Sequence, residues 1–597
     1  MGTTDPTEYV YNATTALLTK VRYTSGQNTY EASCEYDAAR RLTKLSDWMN
    51  GGDYLLYAYD NADRLTKITD YDDTTLDYTY DYAGNVVTMD DYAGNVVTYT
   101  YTDRNQVSTI TAPGSKTWTF YYDALGQLNQ YYLPNAMNTF YQFDTRNRLT
   151  KIWHLDGFTS LDTFTYALDN MSNITKTTNL DGGYWKYWYD LRYQLTKAER
   201  YNSADTLLKK FTYTYNTAGN MRTKVVDDST TYVYAYNKAN ELTKQTLSGT
   251  DTAFAYDAWG RMTSKTQGFY SAAYAYNYHD KLTGVTSNFP NEGNVTYEYG
   301  GDGKRHKRQD SSTTTLYNWD AGWNVISEED NCGTLSKTYI HDPGKAIGTI
   351  LADVSGTDAN GTWRYYFQDN IGSTRRLRDS SKGSLAYYEY EPYGGEYTKY
   401  GTDSTRYEFT GKEWDSTAQL YYFPFRYYAP SVARWMTRDP LGMIDGPNLY
   451  AYCSGNPVGL VDPLGGSFQD FWEFIQPYVD PRPDIVPVIV IGAWTQYGPM
   501  GPRPDHLRHC YASCMITITS GRGTARHASS IKGIIDWFRG RYNLGEPWTQ
   551  EDAISDICAD RIGRNYGSQW LTMSRDWNIS RYCRGVCEAH FGLRPQR

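Results

Sequence analysis

A unit of about twenty residues recurs along the first half of this 597-residue chain, and a repeat of that length restricts the fold more than any other feature. Each copy holds a Tyr-Asp or Tyr-Asn pair, a polar turn often containing Gly or Asn, and then Arg, Gln or Glu followed by Leu-Thr-Lys. Clear copies are Tyr36-Asp-Ala-Ala-Arg-Arg-Leu-Thr-Lys44 and Tyr59-Asp-Asn-Ala-Asp-Arg-Leu-Thr-Lys67. Others begin at Tyr122, Tyr189, Tyr215, Tyr236, Tyr256 and Tyr276, with weaker ones at Tyr80, Tyr101, Phe143, Tyr166 and Tyr299. Neighbouring copies lie 20 to 26 residues apart. Segments such as Phe211-Thr-Tyr-Thr-Tyr215 alternate aromatic and Thr, so a strand there would put rings on one face and hydroxyls on the other. Asp or Asn followed by Gly or Ala supplies the turn. A single hairpin cannot bury its own face, so each must stack on the next, giving a long, spiralling antiparallel sheet.

Composition agrees. Tyr reaches 61 residues and Gly 50, while charged residues make up 21%. Disordered chains lack aromatics, so this one folds. The net charge of −10 is carried by the first 466 residues, and a mildly acidic body argues against nucleic-acid binding along the shell surface. The N-terminus shows no basic region followed by an apolar stretch, hence no visible secretory signal. The longest apolar run, 485–494, is broken by Pro487 and Gly492 and is too short for a membrane span.

Residues 364–466 change character. Trp363-Arg-Tyr-Tyr-Phe-Gln-Asp-Asn-Ile-Gly-Ser-Thr-Arg-Arg-Leu377 is followed by Tyr390-Glu-Pro-Tyr-Gly-Gly395 and Phe409-Thr-Gly-Lys-Glu413. Next come Leu420-Tyr-Tyr-Phe-Pro-Phe-Arg-Tyr-Tyr-Ala-Pro430, Ala433-Arg-Trp-Met-Thr-Arg-Asp-Pro-Leu-Gly442, Asn448-Leu-Tyr-Ala-Tyr452, Asn456-Pro457 and Asp462-Pro-Leu-Gly-Gly466. The repeats resemble YD (Rhs) repeats of bacterial Rhs toxins, insecticidal toxin C subunits and teneurins, and the ordered blocks resemble the Rhs repeat-associated core. The resemblance covers roughly residues 30–465. It implies a mainly β fold: a YD-repeat cocoon over 1–363, sealed at one end by a core plug over 364–466. It also implies aspartyl self-cleavage at the end of the second Asp-Pro motif, with Arg438 and Asp439 matching the first motif and Asp462 the second. One ionised carboxylate activates water while its protonated neighbour polarises the scissile carbonyl, and Arg438 would depress the pKa of a neighbouring carboxylate. The chain departs from the family in several places. Gly466 stands where the family has Leu, Ala433 where it has Gly, and Ala429 where it has Asp. The alternative is that both Asp-Pro pairs are only turns that hold the plug shut.

After Gly466 the composition changes again: Tyr falls to six of 131 residues, and five of the eight Cys lie here. Ser467-Phe-Gln-Asp470 and Thr549-Gln-Glu-Asp552 read as helix starts, and Ile554, Ile557, Cys558 and Ile562 form an apolar helical stripe, so 467–597 is expected to be a small, mostly α domain. Its polar cluster comprises Asp505, His506, Arg508 and His509, with Asp552, Asp556 and Asp560 in one stripe farther on. Such a set suits acid–base hydrolysis or a divalent metal. The pattern resembles small helical toxin-like domains of unestablished activity at the ends of Rhs and other polymorphic toxins; a further reading makes the tail a hydrolase, nuclease or lipid-cleaving, with His509, Arg508, Asp505, Asp556 and Asp560 as candidate catalytic groups. The bland alternative is a solvated face with an Asp560–Arg564 pair. Cys510, Cys514, Cys583, Cys587 and His590 read either as zinc ligands or as two disulfides, and the loose Cys-x-x-x-Cys spacing favours disulfides or core packing. No cofactor is expected for the shell.

The leading expectation is a fragment of a larger Rhs polymorphic toxin, secreted or at the cell surface, whose shell encloses its own C-terminal effector and whose partner is an immunity protein. The rival is a wall-associated adhesion protein that binds carbohydrate through its aromatic faces, with an inert cap.

Overall fold

The computed structural model describes residues 7–25, 28–46, 54–71, 73–343, 349–356, 361–440 and 442–466. The expected helical tail, with its His, Asp and Cys sites, lies outside the described residues. Within them, 36 strands form one sheet, from Thr7–Tyr11 to Glu396–Gly401. Each strand pairs antiparallel with the strand before it and the strand after it, as in Tyr54–Tyr59 with Leu65–Thr69 and Leu65–Thr69 with Thr75–Tyr80. The topology is an uninterrupted meander, as the repeat predicts.

One repeat explains the motif atom by atom. Tyr59 donates its hydroxyl to the Leu42 carbonyl one repeat earlier, at 2.8 Å. Asp60 Oδ1 accepts the N–H groups of Ala62 and Arg64 at 2.8 and 2.9 Å, an Asx turn that closes the hairpin. Asp60 Oδ2 accepts from Arg64 Nε at 2.6 Å, and Arg64 Nη1 reaches forward to the Asp81 carbonyl of the next turn at 2.8 Å. The Tyr thus ties each unit backward and the Arg ties it forward. Tyr80, Tyr101, Tyr122, Tyr189 and Tyr236 make the same backward bond. The residue before the Arg or Gln has positive φ, as at Asp63 (64°), Asn105 (58°) and Gly126 (82°), which is why Asp, Asn and Gly fill that place. Replacing Tyr59 by Phe is expected to cost about 1 kcal/mol, and the Tyr59/Tyr80/Tyr101 triple about 3, because stacked repeats add nearly independently. Thermal unfolding of the two variants checks this.

The alternation also holds. Phe211 and Tyr213 are buried, while Thr214 meets Thr223 on the outer face, hydroxyl to hydroxyl, at 2.7 Å. The sheet curls until late strands lie on early ones. Tyr78 Oη accepts from the Ala321 N–H at 3.0 Å, and Tyr166 Oη accepts from the Asn370 N–H at 3.1 Å. Trp185 Nε1 donates to Glu389 at 2.8 Å, and Arg376 pairs with Asp162 at 2.6 Å.

The sheet outruns the clear repeats. The expected boundary at 363/364 falls inside the strand Thr362–Gln368, and the meander continues to Gly401. Turns such as Asp369–Ser373 and Glu391–Gly395 close with the same backbone pattern as the earlier ones, although the Leu-Thr-Lys signature is gone. The architecture changes after Gly401, where Glu413–Asp415, Leu420–Tyr422, Tyr427–Ala429 and Arg434–Trp435 form a separate four-stranded antiparallel sheet.

This second sheet and the loops after it lie along the turns of successive repeats. Arg434 Nη1 and Asn448 Nδ2 both donate to Asn220 Oδ1 at 2.8 Å. Asn240 Nδ2 donates to the Pro447 carbonyl at 3.1 Å, Tyr450 Oη to the Gly260 carbonyl at 2.8 Å, and Lys281 Nζ to the Pro424 carbonyl at 2.7 Å. The turn residue that links neighbouring repeats elsewhere is used here to bind the plug. Deeper in, Arg305 pairs with Glu413, which also accepts from Tyr317 Oη at 2.7 Å, and Arg308 grips Asp415 through two bonds of 2.8 Å.

Candidate functional site

Two short turns build the site. In the first, the Phe423 N–H donates to the Arg426 carbonyl at 3.0 Å, so Pro424-Phe425 make a tight hairpin turn, with Pro at its first corner. The turn leaves Arg426 at the base of the hairpin, its guanidinium 4.1 Å over the ring of the fully buried Trp435. In the second turn, Asp462 Oδ1 accepts the N–H groups of Gly465 at 2.8 Å and Gly466 at 3.2 Å. This curls Asp462–Gly466 into a strap. The Phe425 N–H fastens it by donating to the Leu464 carbonyl at 2.9 Å.

Arg426 joins the two. Its Nη2 lies 2.6 Å from Asp439 Oδ2 and 3.1 Å from Asp462 Oδ2, so one nitrogen holds both carboxylates. Nε donates to the Gly465 carbonyl at 2.5 Å, and Nη1 to the Leu449 carbonyl at 3.2 Å. The fork is almost wholly buried, whereas the Asp439 and Asp462 side chains keep 10% and 19% of their surface, enough for water to reach them. Asp439 is itself located by its N–H, which donates to the Leu449 carbonyl at 2.8 Å. Lys412 is buried nearby. Burial pushes its amine down to about 7, with the negative charge of Asp462 opposing that shift.

The structure therefore brings Asp439 and Asp462 together but turns Arg438 elsewhere. Arg438 Nη2 reaches Glu241 Oε1 of the shell at 3.0 Å, and its Nε lies 3.4 Å from Tyr450 Oη, so it belongs to the plug–shell contacts. Arg426 is the cation of the pair, and sequence reasoning missed it because its block reads as an aromatic strand; Pro424 was the available signal for a turn. The tail candidates Asp505, Arg508, His509, Asp556, Asp560, Cys510, Cys514, Cys583, Cys587 and His590 lie outside the described residues. Two carboxylates on one cation, against a main-chain segment whose carbonyl faces that cation, can carry acid–base hydrolysis of a peptide.

Comparison with known proteins places the array. Residues 6–208 match the family model described as teneurin YD-shell, and residues 236–272 match the RHS repeat model. These stretches are YD-shell and Rhs-repeat sequence. Toxin subunit YenC1 of Yersinia entomophaga is 39% identical over 112 residues, covering 18% of this chain and 11% of that protein. The tRNA3(Ser)-specific nuclease WapA of Bacillus spizizenii is 32% identical over 181 residues, covering 29% of this chain and 7% of that protein. The crystal structure of TcdB2-TccC3 superposes with a TM-score of 0.62 at 20% identity, over 77% of this chain and 27% of that one. The described residues thus share the fold of that structure, and the matches span a minor part of these relatives' lengths. Among the described residues no helix is long and apolar enough to cross a membrane.

Proposed function

We propose that this chain is part of an Rhs-type polymorphic toxin, whose YD-repeat shell encloses residues 467–597 as an effector and frees them by aspartyl self-cleavage within Gly465–Ser467. The observation that carries this reading is the convergence of Asp439, Asp462 and Arg426 at the Asp462–Gly466 strap, which directly precedes the tail in sequence. The relatedness to toxin subunits and to nuclease toxins supports a toxin shell. In this reading the shell runs to Gly401, where the large sheet ends, the plug from there to Gly466, and the effector is 467–597. The effector is a small hydrolase using His509 with Arg508, Asp505, Asp556 and Asp560, kept from its own cell by enclosure and by an immunity protein. Export delivers it to the cell surface or beyond.

Intact mass of the purified chain tests the cleavage. Wild type is expected to show a tail fragment beside its complement, and Asp439→Asn a single 68.4 kDa species. A wild type that remains one uncut species would sink this part of the proposal. Induced expression of 467–597 is expected to arrest growth, with His509→Ala relieving the arrest; growth unaffected in every compartment would remove the effector reading.

A further inference from the structure

The meander has two rims. The Asx turns form one, and the plug lies along part of it. The alternate hairpin tips form the other, and two of these share a device. Gly157-Phe158 joins the strand Leu149–Asp156 to Thr159–Leu168, and Gly268-Phe269 joins Met262–Gln267 to Tyr270–Tyr276. Each is a two-residue turn closed by a ladder pair, Asp156 with Thr159 and Gln267 with Tyr270. Each begins with a Gly at φ +57°, the type II′ arrangement, which leaves the second residue at the outermost point of the hairpin. That residue is Phe both times, and Phe158 and Phe269 are 106% and 98% exposed. On tips between them, Leu180, Leu207 and Leu208 are half-exposed and continue an apolar rim.

Polar groups at these tips are held within the chain. Asn288 braces the second tip by three bonds. Its N–H donates to the Ser271 carbonyl at 3.1 Å, its Oδ1 accepts the Ser271 N–H at 2.6 Å, and its Nδ2 donates to the Phe269 carbonyl at 3.2 Å. At the first tip Asp156 pairs with Lys382. On a tip between the two, Asp227 pairs with Lys209 at 3.0 Å and Asp228 with Lys210 at 2.9 Å.

We propose that this rim docks on a lipid bilayer of zwitterionic headgroups, with Phe158 and Phe269 as its two anchors. The spacing favours a bilayer over a protein pocket. Ten strands, Thr159–Leu168 to Met262–Gln267, separate the tips, about 48 Å along the rim at about 4.8 Å per strand. An extended surface meets both anchors at once, whereas a pocket takes one. Hydrogen bonding points the same way. The acyl region offers no partner to a backbone group, and the carbonyl of the anchor Phe269 already has its donor in Asn288. The charge pattern selects the headgroup. Lys209, Lys210 and Lys382 are committed to acids, so the rim gains little from anionic lipid, while a zwitterionic surface presents both signs to its ion pairs. Rings at the headgroup–acyl boundary then leave water without any strand leaving the sheet.

Flotation of the full chain with phosphatidylcholine vesicles tests this. Wild type is expected to float with the vesicles. Phe158→Ser and Phe269→Ser should each weaken partitioning about tenfold, and the double variant about 100-fold. Both rings are wholly exposed, so thermal unfolding of the variants should match wild type. Leu191→Ser, equally exposed but on the Asx-turn rim, should leave flotation unchanged. Adding phosphatidylserine to the vesicles should not strengthen binding. A wild type that does not float, a double variant that floats as well, or an equal loss from Leu191→Ser overturns the proposal. So does tighter binding to phosphatidylserine vesicles that salt removes. Self-association without lipid, abolished in the double variant, would make the rim an interface between copies instead.

Discussion

Replacing Arg426 with Met is expected to destabilise the plug by about 3–5 kcal/mol, the cost of leaving buried charges without their partner. The substitution keeps the volume over Trp435 but removes every donor of the fork. Asp439 and Asp462 lose the nitrogen they share, and the carbonyls of Gly465 and Leu449 lose their bonds. The Asp462 turn and the Phe425–Leu464 bond remain to hold the strap. Denaturant unfolding followed by Trp fluorescence measures the loss, since Trp435 lies under the guanidinium. Hydrogen exchange at Gly465 and Gly466 measures its local part. A change below about 1 kcal/mol would mean that water solvates the two carboxylates as well as Arg426 does, and the clamp would lose its structural role. Arg426→Lys separates charge from geometry. It should recover part of the stability, because an ammonium satisfies the two carboxylates but lacks the planar fork that also reaches two carbonyls.

A comparable loss, about 3–5 kcal/mol, is expected from Asp415→Ala, far from the strap. Asp415 is fully buried and accepts two bonds of 2.8 Å from Arg308 and one of 2.7 Å from Tyr297 Oη. Arg308 and Tyr297 belong to the large sheet, and Asp415 to the small one, so this is a joint between shell and plug. Removing the acid strands a cation that the structure has already stripped of water, although Asp310 at 2.9 Å retains part of it. The double variant Arg308→Met/Asp415→Leu should recover most of the stability, because an apolar pair of similar volume has no charge to desolvate. Chemical unfolding of Arg308→Met, Asp415→Leu and the double closes the cycle. Equal losses in the Asp415→Ala single and the double would show that packing, not charge, holds the joint.

Much of the shell was legible in the sequence because each repeat states its own turn chemistry: a Tyr that bonds backward, an Asx turn, and a long polar residue that bonds forward. The later strands were less legible. After residue 300 the Leu-Thr-Lys signature fades while the backbone turns persist, so the sheet runs on to Gly401 unannounced. The site was half legible. Asp439 and Asp462 are found from their Asp-Pro motifs, but which cation serves them depends on which way a chain turns. Arg438 is adjacent in sequence and faces the shell; Arg426 is distant and faces the pair. Motif spacing carries no information about that choice, whereas the Pro424-Phe425 turn does.

The meander has a consequence for how such a molecule is made and taken apart. Every ladder in the large sheet joins a strand to its immediate predecessor, so the hydrogen bonds of 36 strands are all closed by short loops. Low sequence separation favours rapid local closure, and each new hairpin can add to the last as the chain emerges from the ribosome. Pulled from one end, the same sheet should yield a strand at a time in many small steps, except where Arg308 and Asp415 join it to the plug or Trp185 and Glu389 bridge distant strands. Those few long-range joints are the rivets of an otherwise unzippable wall.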